Sequence, residues 1–168
     1  MDLEQPFRPE KQQEHDLSAM ELLPIKRLLE ENPEFANHPD CQDSLYMSIE
    51  FYKKAGFESP WIGYYARSNN GLVGVAAFKG KPMDGKVEIA YGTFPRFQQL
   101  GIGTQLCKQL VLLSLKTNPS VRILARTLME ENYSAKILRK NGFVWSGTVT
   151  DPEDGEVWEW EYKKQDTL

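Results

Sequence analysis

The chain has 168 residues, 40% of them hydrophobic and 26% charged, with a formal net charge of −4. That is the composition of one soluble globular domain, 1–168, able to bury its own core; a disordered chain, a collagen and a coiled coil are excluded. Mild acidity speaks against nucleic acid as a partner, and no apolar run reaches the ~18 residues of a membrane span.

Residues 1–15 are polar and charged and read as an arm. No basic region followed by an apolar run opens the chain, so no secretory signal is expected. An apolar run over 20–25 reads as a strand, and a helix over 26–31 is expected to stop at Asn32-Pro33. From Asp40 onward, Leu45, Ile49 and Tyr52 share one helical face, closed by Gly56. The period then changes. Residues 61–66 and 72–78 are strand-like and flank the turn Ser68-Asn69-Asn70-Gly71; a third strand, 86–94, follows a loop at 79–85. Ile102, Leu106, Leu110 and Leu113 mark a helix that ends at Asn118-Pro119. The strand at 121–128 follows that helix and can therefore pair in parallel with 86–94. A helix over 132–140 is closed by Asn141-Gly142, and strands at 143–150 and 156–162 complete the pattern. In the last strand Trp158, Trp160 and Tyr162 alternate with Glu159 and Glu161, which gives one aromatic and one acidic face. The expected class is α+β: a mixed, mostly antiparallel twisted sheet with one parallel βαβ crossover, flanked by helices.

Two cysteines, Cys41 and Cys107, and two histidines supply neither a disulfide framework nor a metal site. No metal is expected, and a reducing cytoplasm is the expected location. The segment that carries most chemistry is 87–104, where a strand runs through Gln98-Gln99-Leu100-Gly101-Ile102-Gly103-Thr104 into a helix. Two glycines at a helix start allow close backbone approach, and the first N–H groups of a helix sit unpaired at its positive end. Such a turn can cradle a phosphate or pyrophosphate, or can be a plain tight turn. A dinucleotide fingerprint fails at Leu106, and a P-loop fails at Thr104-Gln105. In the preceding strand, alternation sets Glu88, Ala90 and Gly92 on one face. An acid beside two small residues suits a general base over a substrate groove; it equally suits a surface carboxylate paired with a cross-strand Lys or Arg.

These residues resemble the GNAT superfamily of acetyl-CoA-dependent N-acyltransferases, which carries Gln/Arg-x-x-Gly-x-Gly/Ala between a strand and a helix, here Gln98 to Gly103. Lys140-Asn141-Gly142-Phe143 is similar to the family's Lys-x-Gly-Phe. The stretch 78–92 and Ser134, eight residues before Gly142, resemble the branch of the ribosomal-protein N-terminal acetyltransferases. The resemblance spans residues 60–162.

It implies acetyl-CoA as co-substrate, with the pyrophosphate on the backbone of Gln98, Gln99, Leu100, Gly101, Ile102, Gly103 and Thr104. The pantetheine would pair with the backbones of Thr93 and Phe94, like an added strand, and the two parallel strands would part to admit the thioester. An amine with a pKa near 10 must lose a proton before it attacks the acetyl carbon directly. Glu88 is the implied base, a strand N–H the oxyanion donor, and a hydroxyl the acid for the leaving thiolate. Three positions depart from the family pattern. The usual Tyr acid is Leu138, which makes Ser134 the substitute acid or else a first-turn helix cap. A usual cofactor-contacting Asn is Glu131, with Asn132 one step later. A usual loop Gly is Gln99. Cys107 is read as packing. Phe51, Tyr52, Trp61, Trp145 and Trp158 are candidates for the acceptor pocket or for plain core. Glu156, Glu159 and Glu161 would attract a cationic amine or form a solvated face. The implied acceptor is a small-molecule amine or a peptide N-terminus. A non-catalytic acyl-CoA-binding module and a nucleotide-binding interaction domain are the alternatives, and the edge of the last hairpin could pair two copies as a homodimer.

Overall fold

The structure, a computed structural model, describes residues 20–163; the arm expected over 1–15 lies outside the described residues. Seven strands form one sheet: β1 (Glu21–Pro24), β2 (Gly63–Ser68), β3 (Gly71–Phe78), β4 (Lys86–Thr93), β5 (Arg122–Thr127), β6 (Phe143–Asp151) and β7 (Gly155–Tyr162). Their order is β1-β2-β3-β4-β5-β7-β6. Only the β4–β5 pair is parallel, joined by the crossover helix α3 (Ile102–Thr117). Preceding it are a short helix α1 (Pro33–Ala36) and α2 (Gln42–Ala55); following it is α4 (Tyr133–Lys140).

The helix expected over 26–31 is not formed. Only a 3-10 turn, Leu29–Glu31, occurs there, and Pro33 begins α1 rather than stopping a helix. The reason is Asn32, which is buried. Its carboxamide accepts the Lys26 N–H at 2.9 Å and donates to the carbonyls of Lys26 and Leu28 at 3.0 and 2.9 Å. A side chain thus takes the backbone groups a helix would use, and Pro33 fits the first helical position because it needs no N–H.

Helices cover both faces. Val87, Ile89 and Tyr91 turn toward α3, where Tyr91 lies beside Cys107. Leu106, Cys107 and Leu110 are fully buried beneath them, and the core stripe ends on Ser114 rather than Leu113. α2 lies on the opposite face, where the Tyr65 hydroxyl donates to the Cys41 carbonyl at 2.9 Å. Glu88, Ala90 and Gly92 point to that face too, by the period of two.

Two features prepare the site. The β4–β5 pairing runs only from Lys86↔Arg122 to Ile89↔Ala125. Beyond that, β4 stays with β3 up to Thr93 and β5 stays with β7 up to Thr127, so the two parallel strands follow different neighbours and a slot opens through the sheet. The β3–β4 pair is held tight at Gly74, where a Cβ would lie 2.5 Å from the Gly92 carbonyl oxygen.

Candidate active site

The slot leads into a cavity of about 200 Å³. β4 contributes Glu88, Ile89, Ala90 and Tyr91; β5 contributes Ala125, Arg126 and Thr127. Ser134 and Leu138, one turn apart on α4, line it from the α3 side, and Lys79, Asp151 and Asp154 from the other. α4 is brought there by packing on α3: Asn141 Nδ2 donates to the Thr104 carbonyl at 3.1 Å, and a Cβ on Gly103 would meet Ile137 at 2.8 Å. Gly103 is therefore small for helix packing as well as for its place in the loop. Glu88 and Ser134, far apart in sequence, reach one cavity from opposite faces of the sheet.

Glu88 is neither free nor at the surface. Its side chain is 22% exposed, and Oε1 is 3.8 Å from Arg126 Nε. Burial pushes its carboxyl above the usual range; Arg126 and Lys79 oppose the shift, and Asp151 and Glu159 add to it. The cross-strand arginine partner and the groove thus coexist at one carboxylate. Arg126 also meets Asp151 at 3.0 Å and Glu159 at 3.3 Å. The acidic stripe of β7 is not a solvated face. Glu159 joins this cluster, and Glu161 takes a bidentate pair from Arg122 at 2.8 and 2.7 Å, which holds its carboxyl below the usual range; only Glu156 is exposed.

The glycine loop ends a short 3-10 turn, Pro95–Phe97. Gln99 and Gly101 both have positive φ, 67° and 82°, and Gly101 is the N-cap of α3. The first helical bond is Gln105 N–H to the Gly101 carbonyl, at 3.3 Å. Among the described residues no backbone acceptor meets the N–H groups of Gln99, Leu100, Gly101, Ile102, Gly103 or Thr104. Successive unpaired donors at the positive end of a 16-residue helix form a cradle for an anion. Gln99 occupies the left-handed region in place of a glycine, at a cost of about 1–2 kcal/mol. The Gln98 side chain folds back onto the Thr93 carbonyl at 3.3 Å.

Phe94 does not offer its backbone as expected. Its N–H donates to Val73 and its carbonyl accepts from Phe97 N–H, at 2.9 and 2.8 Å, because the residue pairs toward β3. The antiparallel alternation turns the backbone groups of Thr93 and Tyr91 toward the slot instead. Tyr91 thus lines the slot, a placement that the sequence does not single out. Asn132 is the N-cap of α4, its Oδ1 accepting from Ala135 N–H at 3.0 Å, and its amide nitrogen has no partner among the described residues. With the cap taken by Asn132, the Ser134 hydroxyl has no such duty, and no partner for it occurs among the described residues. Glu131 forms a two-pronged pair with Arg139. Leu138 is buried and carries no proton. Burial pushes the Cys107 thiol up to about 12, as suits packing.

None of the five aromatic candidates lines this cavity. Tyr52 and Trp61 are core: the Tyr52 hydroxyl donates to Ile25 and accepts from Gly63, and Trp61 packs edge-on to Phe78. Trp145 and Trp158 pack edge-on to each other, and Phe51 lies under Lys79. Beyond the glycine loop a second, more open concavity is lined by Thr104, Tyr133, Lys136, Ile137, Arg139 and Lys140. No helix among the described residues is long and apolar enough to cross a membrane.

The family model for an acetyltransferase (GNAT) domain matches residues 13–144. No curated protein sequence matches the chain. Among solved structures, a chimera of the spermidine N-acetyltransferase SpeG from Vibrio cholerae and hSSAT superposes with TM-score 0.62 at 14% identity, over 86% of this chain and 95% of that one. RimL, a ribosomal L7/L12 alpha-N-protein acetyltransferase in complex with coenzyme A, gives 0.60 at 16%, over 86% and 93%. AAC(6')-Ib in complex with paromomycin and acetyl-CoA gives 0.60 at 20%, over 87% and 93%. At these identities the likeness is one of fold.

Proposed function

The chain belongs to the GNAT acetyltransferase family, and on that premise we propose that it transfers the acetyl group of acetyl-CoA to a primary amine of a small molecule or a protein N-terminus. The observation that carries this reading is the slot between β4 and β5, with Glu88 on one face of the sheet and Ser134 on the other. The N–H groups of 99–104 would hold the pyrophosphate, and Thr93 and Tyr91 would pair with the pantetheine along the slot. The basic concavity of Lys136, Arg139 and Lys140 has the charge for a further phosphate.

Glu88 takes the proton of the incoming ammonium, directly or through one water, and so releases the lone pair that attacks. A slot-facing N–H of β4 donates to the oxyanion that develops. Ser134 gives its proton to the leaving thiolate and is restored by the second proton that the nitrogen sheds as the amide forms, while the proton on Glu88 returns to water. Glu88 works when ionised, and burial favours its neutral form. The sign follows: the rate rises with pH through a midpoint above the ordinary value of 4.5, and is lost as pH falls through it.

A second reading, an acyl-CoA-binding module without turnover, is favoured by one observation: Leu138 stands where the family has its tyrosine acid. A thermal melt with acetyl-CoA, with ATP and NAD as controls, tests the cofactor. Ligand at ~100 times its Kd adds about 2.7 kcal/mol, roughly 5–11 °C for a domain of this size. A shift with acetyl-CoA alone supports both readings. Coenzyme A release on adding amines then separates the two. No shift with acetyl-CoA, or an equal shift with ATP, refutes both.

A further inference from the structure

We infer that Arg126 is the positioning residue of this site: it keeps the Glu88 carboxylate ionised at the slot and ties it, through Asp151, to the β6–β7 turn. The inference rests on the reading of Glu88 as the base and extends it to a residue one step behind the reacting atoms.

Arg126 stands on β5 where the parallel pairing with β4 has just ended. Its guanidinium meets three carboxylates from three other strands: Asp151 of β6 at 3.0 Å, Glu159 of β7 at 3.3 Å and Glu88 of β4 at 3.8 Å. Its side chain is 26% exposed, so the charges are only partly screened. Asp151 uses both oxygens. Oδ1 accepts the N–H groups of Glu153 and Asp154 at 2.8 and 3.1 Å, which fixes the turn, and Oδ2 accepts from Arg126. One guanidinium therefore sets both the wall of the cavity and the charge state of the base. The groups facing Glu88 are Arg126 from β5, Lys79 from the β3–β4 connection, Asp151 from β6, Asp154 from the turn and Glu159 from β7. Lys79 is engaged elsewhere, 3.9 Å from Glu153 and over the Phe51 ring. Among the described residues, Arg126 is the one cation within 4 Å of the Glu88 carboxylate. Glu88 shares one cation with two competing carboxylates, so removing the cation or a carboxylate moves its midpoint in opposite directions.

Two substitutions separate charge from architecture. Arg126→Met removes the cation and keeps the aliphatic stem. Asp151→Asn keeps the oxygen that accepts the two turn N–H groups and removes a carboxylate that competes for Arg126. The carboxyl-carbon NMR titration of Glu88 in the full chain, its signal identified by its loss in Glu88→Gln, reads the inference without an acceptor. We expect the midpoint to rise by about one pH unit or more in Arg126→Met, to fall in Asp151→Asn, and to be largely restored in Arg126→Lys. With spermidine, an aminoglycoside or a peptide with a free N-terminus as acceptor, the acid limb of the rate moves the same way. Midpoints that stay put, or that move in the same direction in both variants, overturn the inference. If Arg126→Met does not fold, Asp151→Asn and Arg126→Lys decide it alone. A downward shift in Asp151→Asn supports the inference, and an unmoved midpoint refutes it. An acetylation rate unchanged by Glu88→Gln sinks the base reading instead, and the titration tells the two failures apart.

Discussion

On the α3 side of the slot, what faces a ligand is mostly backbone: six consecutive N–H groups over 99–104 and the turned-out peptide groups of Tyr91 and Thr93, with the Ser134 hydroxyl as the one polar side chain that reaches the cavity from α4. On the opposite side it is side chains: Glu88, Arg126, Asp151 and Glu159, from four different strands. Backbone donors are set by φ and ψ, so the first half tolerates many side chains and depends on conformation. The second half is the reverse. Its geometry comes from strand register and its chemistry from which charges meet. In the reading proposed above, the first half binds the cofactor and supplies Ser134 for its leaving thiolate, and the second half activates the amine.

Four substitutions test that division, in descending order of effect. Glu88→Gln should slow amine acetylation by about 10²–10⁴-fold and leave acetyl-CoA affinity within about twofold; steady-state rates and calorimetric titration measure the two separately. Loss of binding in that variant would mean the halves are not separable. Gly101→Val should do the converse. A branched side chain at φ 82° costs about 1–2 kcal/mol and reshapes the loop, so acetyl-CoA affinity falls by about tenfold or more in a folded protein. Gly74→Ala should strike both halves, because they share β4. Its Cβ would meet backbone at 2.5 Å, and we expect about 1–3 kcal/mol less stability by denaturant unfolding. Gln99→Gly should strike neither half. It relieves the left-handed strain, partly offset by the flexibility it adds to the unfolded chain, and raises stability by about 1 kcal/mol or less.

The same division explains what the sequence reveals. The loop is legible because its chemistry is local: Gly101 and Gly103 lie one residue apart between a strand and a helix, and the expected elements there are found within two residues. Glu88 is legible through strand alternation and its small neighbours, although its arginine partner is not. Arg126, Asp151 and Glu159 are brought together by the pairing of β5, β6 and β7. The β6–β7 register shifts between Trp145 and Gly147, a bulge that no spacing in the letters announces. Ser134 is ambiguous in sequence because any residue of a helix first turn can cap it; the cap proves to be Asn132. The helix expected over 26–31 fails for a similar reason, since nothing in the letters shows Asn32 turning inward to take the backbone groups of Lys26 and Leu28.

The most direct test of Glu88 as the base is coenzyme A release from acetyl-CoA by the full chain and by Glu88→Gln, with one accepted amine, from about pH 4 to 9. Wild-type turnover should rise with pH along an acid limb whose midpoint lies above 4.5, and the variant should turn over more slowly by two or more orders of magnitude with acetyl-CoA still bound. Equal rates in the two proteins across that range would contradict it.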